Sequence, residues 1–87
     1  MPYQVELTSA AAKDLRALDP DSRNRIGRQI DKLAMQPRPR GASKLQGRDD
    51  TYRVRVGTYR ILYEVSDKKL LIIVIRVRHR RDVYRSD

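Results

Sequence analysis

The sequence predicts an α+β domain: an N-terminal strand and a helical hairpin packed on one face of a three- to four-stranded antiparallel sheet. Three observations predict it. Tyr3–Leu7 and Thr51–Ser66 alternate residue by residue, the two-residue period of strands with one buried face. Between them, Ala11, Ala12, Leu15 and Leu18, then Ile26, Ile30 and Leu33, recur at helical spacing, each set making one buried stripe. The helices come as a block before the main strands, which is the order of an α+β chain rather than of alternating βαβ units.

Each element has its own justification. Val5 and Leu7 are the apolar points of the first strand, and Thr8 or Ser9 is a suitable N-cap for a helix reaching about Leu18. Asp19-Pro20 ends that helix and opens the next, with Asp19 as cap and Pro20 in the first turn. The second helix stops at Gln36, because Pro37 disfavours helical backbone before it. Pro37–Gly41, PRPRG, is a rigid basic loop. Ser43–Leu45 is a candidate short strand and Gln46–Asp50 a polar turn.

The central hairpin folds at Gly57-Thr58, where glycine in the first position suits a type II′ turn. That turn pairs Val56 with Tyr59, Arg55 with Arg60, Val54 with Ile61, Arg53 with Leu62 and Tyr52 with Tyr63. One face then carries Tyr52, Val54, Val56, Tyr59, Ile61, Tyr63 and Val65. The other carries Arg53, Arg55, Arg60, Leu62 and Glu64. A second turn with Asp67-Lys68 at its tip sets Val65 opposite Leu70, Tyr63 opposite Ile72 and Ile61 opposite Val74. By parity Leu71, Ile73, Ile75 and Val77 join the arginine face. The helices are assigned to the tyrosine face, which only Arg76 interrupts. Leu62, Ile73 and Ile75 are left partly exposed beside arginines, an apolar patch of the kind that binds partners.

Eighty-seven residues make one domain, residues 1–87, with room for a single core. The net charge of +9 points to a polyanionic partner, nucleic acid first. The charge is uneven: residues 37–87 hold fourteen Lys/Arg against six Asp/Glu, while residues 1–36 hold six against five. There is no cysteine and one histidine, so no disulfide, thiolate or multi-histidine metal site is expected, and no cofactor. The start lacks a signal-peptide pattern, and the longest apolar run, Leu70–Ile75, is too short to span a bilayer. A cytoplasmic protein without membrane contact is expected.

Three guanidiniums on one face of two adjacent strands repel one another unless an anion sits among them. A single strand arginine is ordinarily a solvated surface residue; three on one face, followed by a basic tail, favour phosphate binding. If the last strand continues past Val77, His79 and Arg81 share the arginine face while Arg78 and Arg80 point away. Histidine can move protons near neutral pH. Tyr84 follows the tail, and surrounding cations would favour its phenolate; docking the tail is its plainer role. Lys44, Arg48 and Arg78 complete a phosphate-binding set with Arg53 and Arg55.

The chain resembles the RelE/ParE superfamily of bacterial and archaeal toxins. The resemblance rests on the strand and helical hairpin, KLQG at Lys44–Gly47, YRVRVGTYRILYEV at Tyr52–Val65, and VRHRRDVYR at Val77–Arg85. It implies a RelE-like fold. It also implies a type II toxin acting as a ribosome-dependent endoribonuclease, cutting mRNA in the A site by 2′-OH attack without metal. By position, Arg60 matches the family's phosphate-stabilising arginine and Tyr84 a C-terminal tyrosine proposed as base. Arg53 and Arg55 stand where the best-known RelE-like members have lysines, and arginine cannot serve as a base. The family's second arginine falls at Arg80 by strand count or at Arg81 by face parity. Implied partners are a small acidic RelB-like antitoxin, the ribosome with its mRNA, and operator DNA only through the antitoxin complex. The alternatives are a ParE-type toxin that inhibits gyrase without catalysis, and an inactive basic binding module.

Overall fold

The computed structural model describes residues 2–79. In chain order the elements are β1 (Gln4–Leu7), α1 (Ser9–Arg16), α2 (Pro20–Met35), β2 (Ala42–Lys44), β3 (Thr51–Val56), β4 (Tyr59–Ser66) and β5 (Leu71–His79). Two helices lie against one five-stranded sheet of order β1-β5-β4-β3-β2. The α+β class and the helix-covered tyrosine face are as expected. The first strand is itself part of the sheet, an edge strand running parallel to β5, so the sheet is mixed. Leu7 is 44% exposed, and of the two apolar points only Val5 packs on the core.

Caps set the helix ends. The Thr8 hydroxyl accepts from the Ala11 N–H at 3.0 Å and donates to the Ile75 carbonyl at 2.6 Å. One residue therefore starts α1 and ties it to β5. Asp19 caps α2 by accepting from the Ser22 N–H at 3.1 Å, and Pro20 occupies its first turn. α1 ends at Arg16, short of Leu18. Arg23 of α2 completes the ending by donating to the carbonyls of Leu15 and Leu18 at 3.1 and 2.8 Å, groups a helix end leaves unsatisfied.

The core lies between the helices and the tyrosine face. Ala11, Ile26, Ile30 and Leu33 meet Tyr52, Val54, Ile61, Tyr63, Val65, Ile72, Val74 and Val77. Tyr63 is fully buried, and burial pushes its phenol up to about 12. Its hydroxyl donates to the Pro37 carbonyl at 2.7 Å. Tyr52 stacks on Tyr63 with centroids 5.9 Å apart and accepts from Arg38 Nε at 2.9 Å. Arg38 also forms a two-pronged bond to Asp67, whose Oδ1 accepts from the Tyr3 hydroxyl at 2.6 Å. The basic loop is thereby fastened to β3, β4 and the β4–β5 turn, and through Asp67 to Tyr3.

The β3–β4 register is the expected one, from Tyr52↔Tyr63 to Val56↔Tyr59. Gly57 has φ +60, and Thr58 is not among the positive-φ residues, the combination a type II′ turn requires. The β4–β5 register differs from expectation. Ser66 pairs with Leu71 and Val65 with Ile72. The turn is wider than a two-residue tip: Leu70 lies within it in the left-handed region at φ 50, and the Lys69 N–H is held by the Ser66 hydroxyl at 3.3 Å. A shift of two leaves the faces unchanged, so Ile72 and Val74 remain in the core. A bulge then intervenes: Tyr63 pairs with Val74 but Leu62 with Arg76, leaving Ile75 as the extra residue. Beyond it every face is reversed. Val77, expected on the arginine face, is buried in the core opposite Ile61.

Candidate phosphate site on the open sheet face

The strands place the arginines in two adjoining rows. Arg55, Arg60 and Arg78 stand opposite one another across β3, β4 and β5. Ser43, Arg53, Leu62 and Arg76 form the next row. The alternation of β3 and β4 turns valines, tyrosines and Ile61 toward the helices, leaving the guanidiniums outside. An open concavity of about 210 Å³ is lined by Gly41, Ser43, Arg53, Val54, Arg55 and Arg60. Among the described residues, no salt bridge engages Arg53, Arg55 or Arg60. Planar guanidiniums converging on an open hollow can clamp a phosphate through paired N–H donors. Held there, they would stabilise negative charge developing on its oxygens.

The remaining predicted residues are distributed as follows. The bulge brings Arg78 into the arginine row, opposite Arg60, where parity had pointed it away. It carries His79 to the other face, opposite Tyr59. The two rings meet edge to face at 5.2 Å. His79 is thus not brought together with Arg53, Arg55 and Arg60, because one inserted residue exchanges inward and outward positions. Lys44 pairs with Tyr52, on the face opposite Ser43 and Arg53. Arg48 sits in the β2–β3 turn, where its N–H donates to the Leu45 carbonyl at 3.2 Å. Neither lines the hollow. Arg80, Arg81 and Tyr84 lie outside the described residues.

Three features escaped the sequence reading. Ser43 and Gly41 form the β2 side of the hollow. Ser43 could have been found, since a turn over Gln46–Asp50 already implies Leu45 opposite Thr51 and Ser43 opposite Arg53. The third is Asp14. β1 ends where α1 begins, leaving the far part of β5 without a strand on that side. Asp14 of α1 covers it, accepting from the Val77 N–H at 3.0 Å and from Arg76 Nε and Nη2 at 2.8 and 3.2 Å. Burial works against ionising this carboxyl, but the Arg76 hydrogen bond and the Val77 N–H outweigh it and lower its pKa.

The fold is a small basic α+β domain with an arginine-lined sheet face, and comparison with known proteins gives its family. The family described as ParE toxin of type II toxin–antitoxin systems, parDE, matches residues 5–84. The chain belongs to this RelE/ParE toxin family. Similar proteins within it bear RelG and RelE names. Toxin RelG of Mycobacterium tuberculosis is 34% identical over 86 residues, covering 98% of this chain and 99% of that protein. The mRNA interferase toxin RelE of Escherichia coli K12 is 32% identical over 88 residues, covering 97% and 92%. The toxin–antitoxin complex RelBE2 of M. tuberculosis superposes with a TM-score of 0.81 at 32% identity, over 92% of this chain and all of the matched chain.

Proposed function

We propose that the chain is a RelE-type toxin that cleaves mRNA in the ribosomal A site. The observation that carries this reading is the cluster of Arg53, Arg55 and Arg60 around one hollow with no carboxylate salt-bridged to them among the described residues. A toxin acting only by docking on a protein has no need to concentrate like charge in this way, and directly opposed cations cost stability. In the proposed reaction a ribose 2′-OH attacks the adjacent phosphate. A 2′,3′-cyclic phosphate forms as the bond to the 5′-oxygen breaks, and the departing oxygen takes its proton from water. Arg60 stabilises the charge on the phosphorane oxygens, with Arg53 and Arg55 holding the phosphate. Tyr84 takes the proton from the 2′-OH, in the role the family resemblance gives it. Metal is not required, because the guanidiniums supply the positive charge.

The RelE name borne by a similar mRNA interferase supports the activity. The solved toxin–antitoxin complexes among the similar structures support an antitoxin as partner. A small acidic protein fits a chain of charge +9 whose open face keeps Leu62, Ile73 and Ile75 half-exposed. Operator DNA is reached only through that antitoxin, and the site of action is the cytoplasm.

The ParE description of the matching family keeps gyrase inhibition as the second reading. Purified toxin assayed in parallel in cell-free translation and in gyrase supercoiling separates the two. Loss of translation with supercoiling intact is expected. Loss of supercoiling with translation intact would overturn the proposal.

A further inference from the structure

The hollow is chemically one-sided. Its three arginines are donors only, since guanidinium has no acceptor. A phosphate presents acceptors alone and is fully served by them. A ribonucleotide also presents 2′-hydroxyls, each of which must donate as well as accept. Among the side chains lining the hollow, only that of Ser43 can accept a hydrogen bond.

The fold leaves that hydroxyl available. Ser43 stands directly opposite Arg53. The Leu45 N–H donates to the Thr51 carbonyl at 2.8 Å, so Leu45 and Thr51 form a hydrogen-bonded pair. Ser43 and Arg53, two residues on, form the next such pair in an antiparallel ladder. The backbone of Ser43 is thereby committed to β3. Its side chain, on the same face as Arg53, makes no hydrogen bond among the described residues and is exposed. β2 is the last strand of the sheet, so no further strand closes this side of the hollow against an incoming polynucleotide.

We infer that Ser43 is a specificity-determining residue: its hydroxyl accepts from the 2′-OH of the ribose on the 5′-oxygen side of the phosphate held by Arg53, Arg55 and Arg60, which is not the attacking hydroxyl, and so distinguishes RNA from DNA. This rests on the phosphate site proposed above. The arginines bind either nucleic acid through the shared phosphate; Ser43 adds a contact that only RNA can make.

The test is a titration of isotope-labelled toxin with a trinucleotide RNA and with DNA of the same sequence, followed by amide shifts. Wild type should prefer RNA by about 3- to 10-fold, the worth of one hydrogen bond. Ser43→Ala should remove that preference by weakening RNA alone, and Ser43→Thr, which keeps the hydroxyl, should retain it. Preference unchanged in Ser43→Ala, equal weakening of RNA and DNA, or no preference in wild type would overturn the inference. Arg60→Ala is the separate arm for the phosphate site and should weaken both nucleic acids. If it weakens neither, or wild type binds neither, the phosphate site falls and the Ser43 inference with it.

Discussion

Arg55 and Arg60 face each other across β3 and β4, and this pair is where stability and function oppose each other at the scale of single residues. Like charges at directly opposed positions destabilise a strand pair by about 0.2–1 kcal/mol relative to neutral pairs. Arg55→Glu turns the repulsion into attraction, so it should raise stability in urea unfolding by roughly that amount while lowering mRNA cleavage. A variant both less stable and less active would mean that Arg55 has a structural role the register does not show. These arginines were legible in the sequence because strict alternation in Thr51–Ser66 marks the face of every residue. The tyrosines were legible for the same reason. Their hydroxyl partners were not: Tyr52 is met by Arg38 and Tyr63 by the Pro37 carbonyl, contacts made by a loop without periodicity.

At the scale of elements, β5 is the strand the sequence described least well. Leu70–Ile75 is continuously apolar, so it gives no alternation from which to assign faces. Uninterrupted parity from Ile72 and Val74 reaches the strand end only without an inserted residue, and the bulge at Ile75 breaks it. A signal was present in Arg76-Val77-Arg78, where Val77 is the inward residue by polarity and the outward one by uninterrupted parity. Only an inserted residue reconciles the two. The bulge lies at the stretch of β5 that Asp14 covers, and it has consequences that can be measured. Asp14→Ala removes the acceptor of the Val77 N–H and the carboxylate that Arg76 engages, and should cost about 1.5–3 kcal/mol, with faster hydrogen exchange at the Val77 amide. The folded-state pKa of Asp14 lies below its ordinary value of 3.8. Its contribution is therefore present above about pH 4 and disappears as pH falls through the lowered value. Asp14→Asn should flatten that acid limb; an unchanged limb would show that the carboxylate contributes nothing there.

For the molecule as a whole, the class, both helices and the core face follow from hydrophobic period and caps, which local sequence encodes directly. The parallel pairing of β1 with β5 joins residues more than sixty positions apart, and nothing local specifies it. The open face is divided along its length. Arg53, Arg55, Arg60 and Arg78 occupy the end near the Gly57 turn. Leu62 stands at the boundary opposite Arg53, and Ile73 and Ile75, with Glu64 and Glu6, occupy the remainder. Under the proposed function, the cationic end would take the RNA phosphate and the apolar field beside it would be open to a partner. If the cationic end performs catalysis, Arg60 is the residue at which its loss shows first. Ribosomes carrying a defined mRNA with an empty A site are incubated with toxin, and the cut is mapped by primer extension. Wild type should cut within the A-site codon, and Arg60→Ala should cut there about 10²- to 10³-fold more slowly while remaining folded. Cleavage by Arg60→Ala at the wild-type rate would contradict the account.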